Sequence, residues 1–260
     1  MLSGLELGWI EYLLAVLAAL AAGGINALAG GGTLITFPTL VAIGIPPVMA
    51  NVTSTVALCP GYFGATLAQF SEIRTQTQRL WLVVPAAVAG GILGGILLLN
   101  TEEKVFQSLV PFLILLAAVL LAVQNPVRNW LNKRLQQHEA QGIPIFWIIP
   151  LILLAAIYGG YFGAGLSVIV LAALALIMDD SLTRLNALKQ AVAFCVNIAA
   201  AVFFLFSGKV VWSVAAIMAV GALLGGMLGG KLAGKINPTT LRWLVVSIGI
   251  VIAVAYWLRS

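Results

Sequence analysis

The feature that most constrains this chain is a series of long apolar runs separated by short polar breaks. Most of the runs reach the roughly 20 residues that a helix needs to cross the hydrocarbon core of a bilayer. They lie at about 9–29, 33–46, 52–70, 80–99, 105–124, 145–162, 165–178, 186–206, 211–233 and 240–258. The runs predict an all-α polytopic membrane protein that is surrounded by a lipid bilayer.

The charge content excludes most other classes of protein. Of 260 residues, 13 are basic and 8 are acidic, so that 8% are charged, whereas a soluble domain carries roughly 25%. A soluble enzyme, a disordered chain and a secreted disulfide scaffold are therefore excluded. An outer-membrane barrel is excluded because its strands alternate over about ten residues. The basic residues are scattered and form no stripe, so a nucleic-acid partner is not expected.

Two runs, 33–46 and 165–178, are too short to span a bilayer as single helices. Each follows a glycine-rich break, AGGG at 29–32 and GGYFGAG at 159–165. Short segments after glycine breaks are typical of broken or re-entrant helices in transporters. The sequence thus predicts eight full spans plus two short helices, and it leaves open whether the short helices cross the membrane.

The basic residues predict an orientation. With the N-terminus outside, ten of the 13 basic residues lie on the inner side, whether or not the short runs cross. A Lys/Arg excess marks the cytoplasmic side, so we expect an inner-membrane protein with both termini in the periplasm. The polar stretch 125–142 is predicted to be a cytoplasmic linker that contains an interfacial helix, with Trp130 and Leu131 toward lipid.

The chain also repeats itself after a shift of 135 residues, which divides it into halves at 1–124 and 143–260. Each half has an odd number of segments, so the second half enters the membrane from the opposite side. Such inverted repeats recur in secondary transporters, with the substrate near the midplane. The matching positions are GGILGG (90–95) with GGMLGG (225–230), Asn51 with Asn186, and Ser54 with Lys189.

Polar groups within the runs suggest an anion site. A helix that starts at a glycine break has unpaired amide groups and partial positive charge, although plain helix breaking explains the glycines equally well. Lys189 is the charge best placed to enter a helix interior, and no acidic residue lies mid-run to pair with it. Snorkelling of Lys189 to the interface is the alternative. The GGILGG and GGMLGG motifs are interpreted as helix-packing motifs.

Several of these stretches resemble the sulfite exporter TauE/SafE family, also called TSUP. They are AGGINALAGGGTLITFPTLVAIGIPPVMANVTST (22–55), GGYFGAGLS (159–167), NALK (186–189) and GALLGGMLGGKL (221–232). The resemblance implies an inner-membrane permease for small sulfur-containing anions such as sulfite or organosulfonates, usually an exporter. Positions shared with the family pattern are Gly30, Gly31, Gly32, Pro38, Asn51, Thr53, Ser54, Asn186 and Lys189. The chain departs from the pattern at Pro46–Pro47 and at Leu166–Ser167.

We therefore expect an alternating-access transporter in which one half rocks against the other around a small anion. The candidate substrate-binding residues are Gly30, Gly31, Gly32, Thr33, Asn51, Thr53, Ser54, Gly163, Gly165, Ser167, Asn186, Lys189 and Asn197. A passive anion channel, or a permease for another small organic anion, is the alternative. The sequence leaves the coupling ion, a proton or sodium, unidentified, and a homodimer remains open.

An enzyme is not expected, because one histidine, His138, and two cysteines, Cys59 and Cys195, do not form a metal or nucleophile cluster. His138 lies in the linker, without a titratable partner in a neighbouring apolar run. The two cysteines lie within apolar runs, where packing is their simplest role. No cofactor or metal is therefore predicted.

Overall fold

The computed structural model describes residues 7–28, 31–136, 144–232 and 238–257. Within these ranges the chain forms twelve α-helices and one 3-10 helix (Ile145–Trp147), with no β-strand, which confirms the all-α prediction. The α-helices are α1 (Trp9–Leu28), α2 (Thr33–Ala42), α3 (Pro47–Ala68), α4 (Phe70–Arg74), α5 (Thr77–Asn100), α6 (Glu103–Ala122), α7 (Gln124–Gln136), α8 (Ile148–Tyr161), α9 (Leu166–Ile177), α10 (Leu182–Leu205), α11 (Trp212–Leu232) and α12 (Pro238–Trp257).

Five helices of the described chain are long and apolar enough to cross a membrane, so the count of eight full spans is not confirmed. They are Trp9–Asn26, Thr77–Asn100, Glu103–Ala122, Leu182–Leu205 and Thr239–Trp257. Four other apolar helices are shorter, at Thr33–Ala42, Ile145–Tyr161, Leu166–Ile177 and Trp212–Leu228. Helix α3 has 22 residues, but its first half includes the polar residues Asn51, Thr53, Ser54 and Thr55.

Helices α3 and α10 begin four or five residues before the apolar runs that predicted them. Pro47 starts α3, because proline suits the first turn of a helix. Ser181 caps α10 by accepting a hydrogen bond from the Arg184 amide. These starts make Asn51 and Asn186 the fifth residue of their helices, so the repeat-related asparagines occupy equivalent positions.

The helix bundle has two ends, which we name after a carboxylate at each. At the Glu103 end, Glu103 Oε1 accepts a hydrogen bond from the Val48 amide at 2.9 Å, so the starts of α3 and α6 lie together. At the Asp180 end, Asp180 pairs with Arg79 and with Arg184. Helices α5 and α10 therefore both begin at the Asp180 end.

Helices α1 and α2 form a hairpin that begins and ends at the Glu103 end. Tyr12 of α1 donates a hydrogen bond to Ser213 Oγ at 3.1 Å. Next to Ser213, the Val211 amide donates to Thr53 Oγ1 in the second turn of α3 at 3.0 Å. Helix α2 then returns to the same end, because the short connection 43–46 leads from it into α3. The first short helix therefore returns to the end of the bundle at which α1 begins.

Helices α8 and α9 form the corresponding hairpin at the Asp180 end. Helix α8 runs in the same direction as α5: a Cβ added at Gly90 would lie 2.7 Å from Leu153 O, and one at Gly94 would lie 2.7 Å from Tyr161 N. Because α5 starts at the Asp180 end, α8 does too. Helix α9 then returns to the Asp180 end, because Asp180 follows its last residue, Ile177, by three positions.

The glycine motifs bring helices from the two halves of the sequence into backbone contact. A Cβ added at Gly221 would lie 2.9 Å from Val16 O, and one at Gly225 would overlap Leu20 O. Helix α11 therefore packs on α1 as α5 packs on α8, and the packing interpretation of both motifs is confirmed for their described glycines. Further pairs also correspond: α3 with α11 and α10 with α5, α2 with α3 and α9 with α10.

The linker helix α7 is more deeply buried than the sequence suggested. Trp130 is 52% exposed, but Leu131 is fully buried, so the prediction that both face lipid is wrong for Leu131. The reason is that α7 packs against α9, and Leu131 belongs to an apolar cluster that includes residues of α9. His138 lies outside the described residues.

Candidate functional site

The two glycine breaks meet in one small cleft. Gly31, Gly163 and Gly165 have positive φ angles of +95°, +79° and +81°, a conformation that glycine adopts without steric cost. The cleft is lined by Gly31, Thr33, Tyr62, Leu121, Gln124, Gly163, Ala164, Gly165, Leu166, Ser167 and Val168. Five predicted residues, Gly31, Thr33, Gly163, Gly165 and Ser167, are thus brought together. Gly30 lies outside the described residues.

The cleft is closed in this conformation. Its volume is about 10 Å³, which is roughly the room that one water molecule requires. Leu121 of α6 and Leu166 of α9 contribute to its wall. An oxyanion would therefore need the surrounding helices to separate before it enters.

Fewer backbone donors are free at the two helix starts than the sequence suggested. The Gly32 amide donates to Asn26 Oδ1 at 2.8 Å. The amides of Leu34 and Leu166 close tight turns by donating to carbonyl oxygens three residues back, at 3.0 and 3.3 Å. Part of the donor capacity of both helix starts is therefore used within the protein, and the helix dipoles remain.

Asn51 holds the second glycine break from the neighbouring helix α3. Its Nδ2 donates to the carbonyl oxygen of Tyr161, the last residue of α8, at 2.8 Å. Asn51 is 1% exposed, and its Oδ1 is buried without a hydrogen-bond partner in the described chain. From the position directly before this break, Tyr158 donates to Ala164 O at 2.6 Å. Asn51 therefore supports the cleft from behind and does not line it.

Thr53 and Ser54 use their hydroxyls to join helices. Thr53 accepts the Val211 amide, as described above, and Ser54 shares a 2.6 Å hydrogen bond with Thr36 of α2. Both residues are fully buried, and neither lines the cleft. Their predicted role in substrate binding stays a prediction.

Lys189, Asn186 and Asn197 lie on α10 and do not line the cleft. Lys189 Nζ donates to Asn186 Oδ1 at 3.3 Å, and both side chains are partly buried. Asn197 Oδ1 accepts a hydrogen bond from Cys59 Sγ at 3.2 Å, across the contact between α3 and α10. The predicted residues thus divide into a glycine cleft and a polar face of α10.

Two polar residues that line the cleft were missed from sequence. Gln124 begins α7, and its Oε1 is buried without a partner in the described chain. A polar residue directly after an apolar run was the signal available for it. Tyr62 lies in α3 and also lines the cleft. Nothing in the sequence distinguished Tyr62 from an aromatic packing residue.

A larger cavity lies between α2, α6 and α12. Its volume is about 930 Å³. Its lining is mostly apolar and includes Lys104, Gln107 and Ser108 at the Glu103 end. No lining residue is shared with the cleft, so the two spaces are separate here. Among the described residues, no three His, Cys, Asp or Glu side chains are arranged to hold a metal ion.

Comparison with known proteins identifies the family of this chain. The sequence profile described as "Sulfite exporter TauE/SafE" matches residues 15–256, which is most of the chain. The chain belongs to the TauE/SafE family. No solved structure matches it. The fold described here therefore gives a three-dimensional framework for the TauE/SafE sequence pattern in this chain.

Three relatives of this TauE/SafE protein carry transporter names. A "Probable membrane transporter protein" of Haemophilus influenzae is 28% identical over 200 residues, or 77% of this chain and 76% of that protein. "Probable membrane transporter protein ORF9" of a Sinorhizobium species is 29% identical over 82% of this chain and 80% of that protein. "Probable membrane transporter protein YfcA" of Escherichia coli K12 is 25% identical, over 86% and 79% respectively.

Proposed function

We propose that this protein exports small sulfur-containing anions, such as sulfite or organosulfonates, by alternating access. The observation that carries the proposal is the meeting of the two glycine breaks in one closed cleft, with a helix hairpin supplied by each half of the sequence. Family membership and the names of the relatives support transport as the activity. The class of substrate rests on the chemistry of the cleft and on the family description.

The chemistry of the cleft suits an oxyanion. Helices α2 and α9 both begin there, and the start of a helix carries partial positive charge. The polar side chains of the lining, Thr33, Tyr62, Gln124 and Ser167, are uncharged groups that can donate hydrogen bonds. No Asp or Glu belongs to the lining. A cation would find no carboxylate there, whereas an anion would find donors and dipoles.

The proposal includes an inverted repeat. The paired helix contacts, α1 with α11 and α8 with α5, α2 with α3 and α9 with α10, are those that a pseudo-twofold axis in the membrane plane would relate. The hairpins α1–α2 and α8–α9 enter from opposite ends of the bundle, as such an axis requires. Repeats of this kind carry their substrate at the interface between them, and the glycine cleft lies at that interface.

Transport of a labelled anion tests the function. Purified protein in liposomes loaded with ³⁵S-sulfite should release the label faster than empty liposomes do. Lys189→Ala should slow the release of sulfite because it removes the positive charge from the polar face of α10. Lys133→Ala removes an exposed lysine of α7 and should not slow the release. If the two variants released sulfite equally fast, Lys189 would have no part in the mechanism. No release by the wild-type protein would reject sulfite as substrate.

A carrier and a channel differ in their response to gradients. The closed cleft favours a carrier, because an anion would have to trigger its opening. We expect sulfite release to accelerate when a proton or sodium gradient is imposed, which would also identify the coupling ion. Release that follows the sulfite gradient alone, at rates far above carrier turnover, would instead indicate a channel.

The proposal assigns the Asp180 end to the cytoplasm. Arg74, Arg79 and Arg184 lie at this end, and basic residues concentrate on the cytoplasmic side of bacterial membrane proteins. A cysteine that replaces the exposed Arg74 should resist a membrane-impermeant maleimide in intact cells, and one that replaces the exposed Lys104 should react. Both experiments need a background without the native cysteines. Labelling of the Arg74 position alone would reverse the orientation.

A further inference from the structure

Arg242 is a buried cation whose charge has no acidic partner in the described chain. The residue lies in the second turn of α12 and is 6% exposed. Its Nε is buried and makes no hydrogen bond in the part of the chain that the structure describes. Arginine is seldom buried to this degree without a carboxylate or phosphate partner. The guanidinium therefore needs an explanation beyond packing.

A second arginine, Arg128, lies beside it because α7 is attached to the start of α12. Asn125 Nδ2 of α7 donates to Thr239 Oγ1 of α12 at 3.2 Å. Arg128 and Arg242 each follow three residues later in their helices, which is about one turn. The charge of Arg128 acts electrostatically on Arg242. It also acts on Lys189 of α10, whose neighbour Leu188 belongs to the same apolar cluster as Leu131 of α7. Three cationic side chains from three helices therefore lie around α7.

The same helix connects this region to the cleft. Gln124 of α7 lines the cleft, and Arg128 follows it by four residues. Residues four apart lie on the same face of a helix, with their Cβ atoms about 5–6 Å apart. Arg128 therefore lies about one helical turn from the cleft. It lies toward Leu131, which shares an apolar cluster with Met178 and Leu185 near the Asp180 end.

Among the described residues, no carboxylate forms an ion pair with Arg128, Lys189 or Arg242. In the part of the chain that the structure describes, the ion pairs are those of Asp180 with Arg79 and Arg184. Glu103 lies at the opposite end of the bundle, where it accepts the Val48 amide. Three cations that repel one another and lack a carboxylate lower their free energy when they share an anion.

We propose that Arg128, Lys189 and Arg242 form a binding site for one oxyanion beside the cleft. The site receives the transported anion at the Asp180 end before the cleft opens, so this inference rests on the proposed function. Guanidinium groups bind sulfite, sulfonate and phosphate oxygens through paired, charge-assisted hydrogen bonds. The linker helix α7 is then part of the substrate pathway. An anionic lipid headgroup offers the same chemistry and is the competing source.

Transport kinetics test the site from one face at a time. In liposomes of zwitterionic lipid with known protein orientation, Arg242→Gln and Arg128→Gln should raise the KM for ³⁵S-sulfite presented at the Asp180 end by about tenfold, the loss of one charge-assisted bond. The KM from the opposite face and kcat should change less than twofold. Wild-type KM should rise with ionic strength, and this rise should flatten in the variants.

Lys133→Gln is the matched control for these variants. It removes one positive charge from the same helix, five residues beyond Arg128 and about 140° around the helix, at a position that is exposed as Arg128 is. Its KM should equal the wild-type value. If all three variants had the wild-type KM, the inference would be overturned. Sulfite transport, and with it the proposed function, would still stand. An equal rise from both faces would also overturn it.

Binding and thermal unfolding test the site without transport. Sulfite should raise the Tm of the detergent-purified wild-type protein, because a ligand stabilises the state that binds it, and it should not raise that of Arg242→Met. Without anion, Arg242→Met should unfold about 2–4 °C higher, because a buried unpaired charge is gone. A lower Tm would make Arg242 a structural residue and overturn the inference. If sulfite raised the Tm but the protein did not transport it, the binding site would stand and the proposed function would be rejected.

A comparison of lipids separates the two sources of oxyanion. Wild type and Arg242→Gln are compared in nanodiscs of phosphatidylcholine with and without phosphatidylglycerol. If the site receives the transported anion, sulfite should raise the wild-type Tm without phosphatidylglycerol. A Tm that rises only with phosphatidylglycerol, and only when Arg242 is present, would assign the cluster to a lipid headgroup and overturn the substrate assignment.

Discussion

At the scale of single residues, Asn51 contributes to the cleft as a structural support. Its Nδ2 donates to Tyr161 O at 2.8 Å, and the residue is almost fully buried. This bond fixes the last carbonyl of α8, directly before the chain turns through Gly163 and Gly165. A helix end that is buried in a membrane has no water to satisfy its carbonyl groups. The position of α9 therefore depends on an amide from another helix.

Asn51→Ala should lower the free energy of unfolding and slow transport together. The substitution leaves a buried carbonyl without its donor, which costs about 1–3 kcal/mol. Thermal unfolding in detergent measures the stability change. Asn100→Ala is the control, because Asn100 makes a bond of the same kind to Ile96 O at 2.8 Å at an exposed position. An Asn51→Ala protein as stable as Asn100→Ala would contradict the supporting role.

At the residue scale, prediction from sequence succeeded where the backbone conformation determines which residue a position requires. Gly31, Gly163 and Gly165 were recognisable because breaks in apolar runs need glycine, and all three have positive φ. It failed for Gln124 and for the partner of Asn51, since a hydrogen bond between residues 110 positions apart depends on the packing of whole helices. Side-chain pairing across the bundle is not encoded in any local pattern.

At the scale of helices, the glycine motifs determine how closely neighbours approach. A Cβ added at Gly94 would overlap the carbonyl oxygen of Ile157 in α8, so α5 and α8 pack backbone against backbone. Apolar surface gives no driving force between helices in lipid, and close packing must hold them together instead. The α5–α8 contact is therefore sensitive to a single methyl group.

Gly94→Ala should separate α5 from α8 and reduce stability. Ordinarily alanine is favoured over glycine within a helix by up to about 1 kcal/mol. Here the overlap should outweigh that preference and lower the Tm. Gly64→Ala in α3 is the control, since nothing lies within 4 Å of its added Cβ and only the helical preference acts. A higher Tm for both variants would show that the α5–α8 contact accommodates the added methyl group without loss of stability.

The direction of the short helices illustrates what hydropathy leaves undetermined. Length and glycine content predicted two broken helices, and both exist as α2 and α9. Whether each crosses the membrane or turns back was open, because an apolar run has the same composition in either direction. Contacts distant in sequence, such as Tyr12 with Ser213, determine that α1 and α2 form a hairpin.

At the scale of the whole molecule, the helix contacts define bodies that differ from the sequence halves. The glycine contacts join α1 to α11 and α5 to α8, and each pair takes one helix from each half. Rocking one half against the other would break these backbone contacts. We propose instead that α1, α2, α3 and α11 move as one body and α5, α8, α9 and α10 as the other. The two bodies meet where α3 packs on α10.

A disulfide between α3 and α10 should therefore stop transport. Cys59 Sγ already donates to Asn197 Oδ1 at 3.2 Å, so Asn197→Cys in a Cys195→Ala background places two thiols within bonding reach. Oxidation should abolish sulfite release and dithiothreitol should restore it to the reduced variant's own rate. Recovery after reduction distinguishes the effect of the disulfide from any loss of transport caused by replacing Asn197 itself.

A crosslink inside one body is the matching control and should leave transport intact. Tyr12 and Ser213 join α1 to α11 through a 3.1 Å hydrogen bond, so cysteines at both positions can be bridged by a short bismaleimide in a background without Cys59 and Cys195. Because this bridge spans the two sequence halves, motion of one half against the other would be blocked by it. Motion of the proposed bodies would not be blocked. Sulfite release after complete crosslinking at residues 12 and 213, together with its arrest by the 59–197 disulfide, distinguishes the two mechanisms; the reverse outcome would restore the halves as the moving parts.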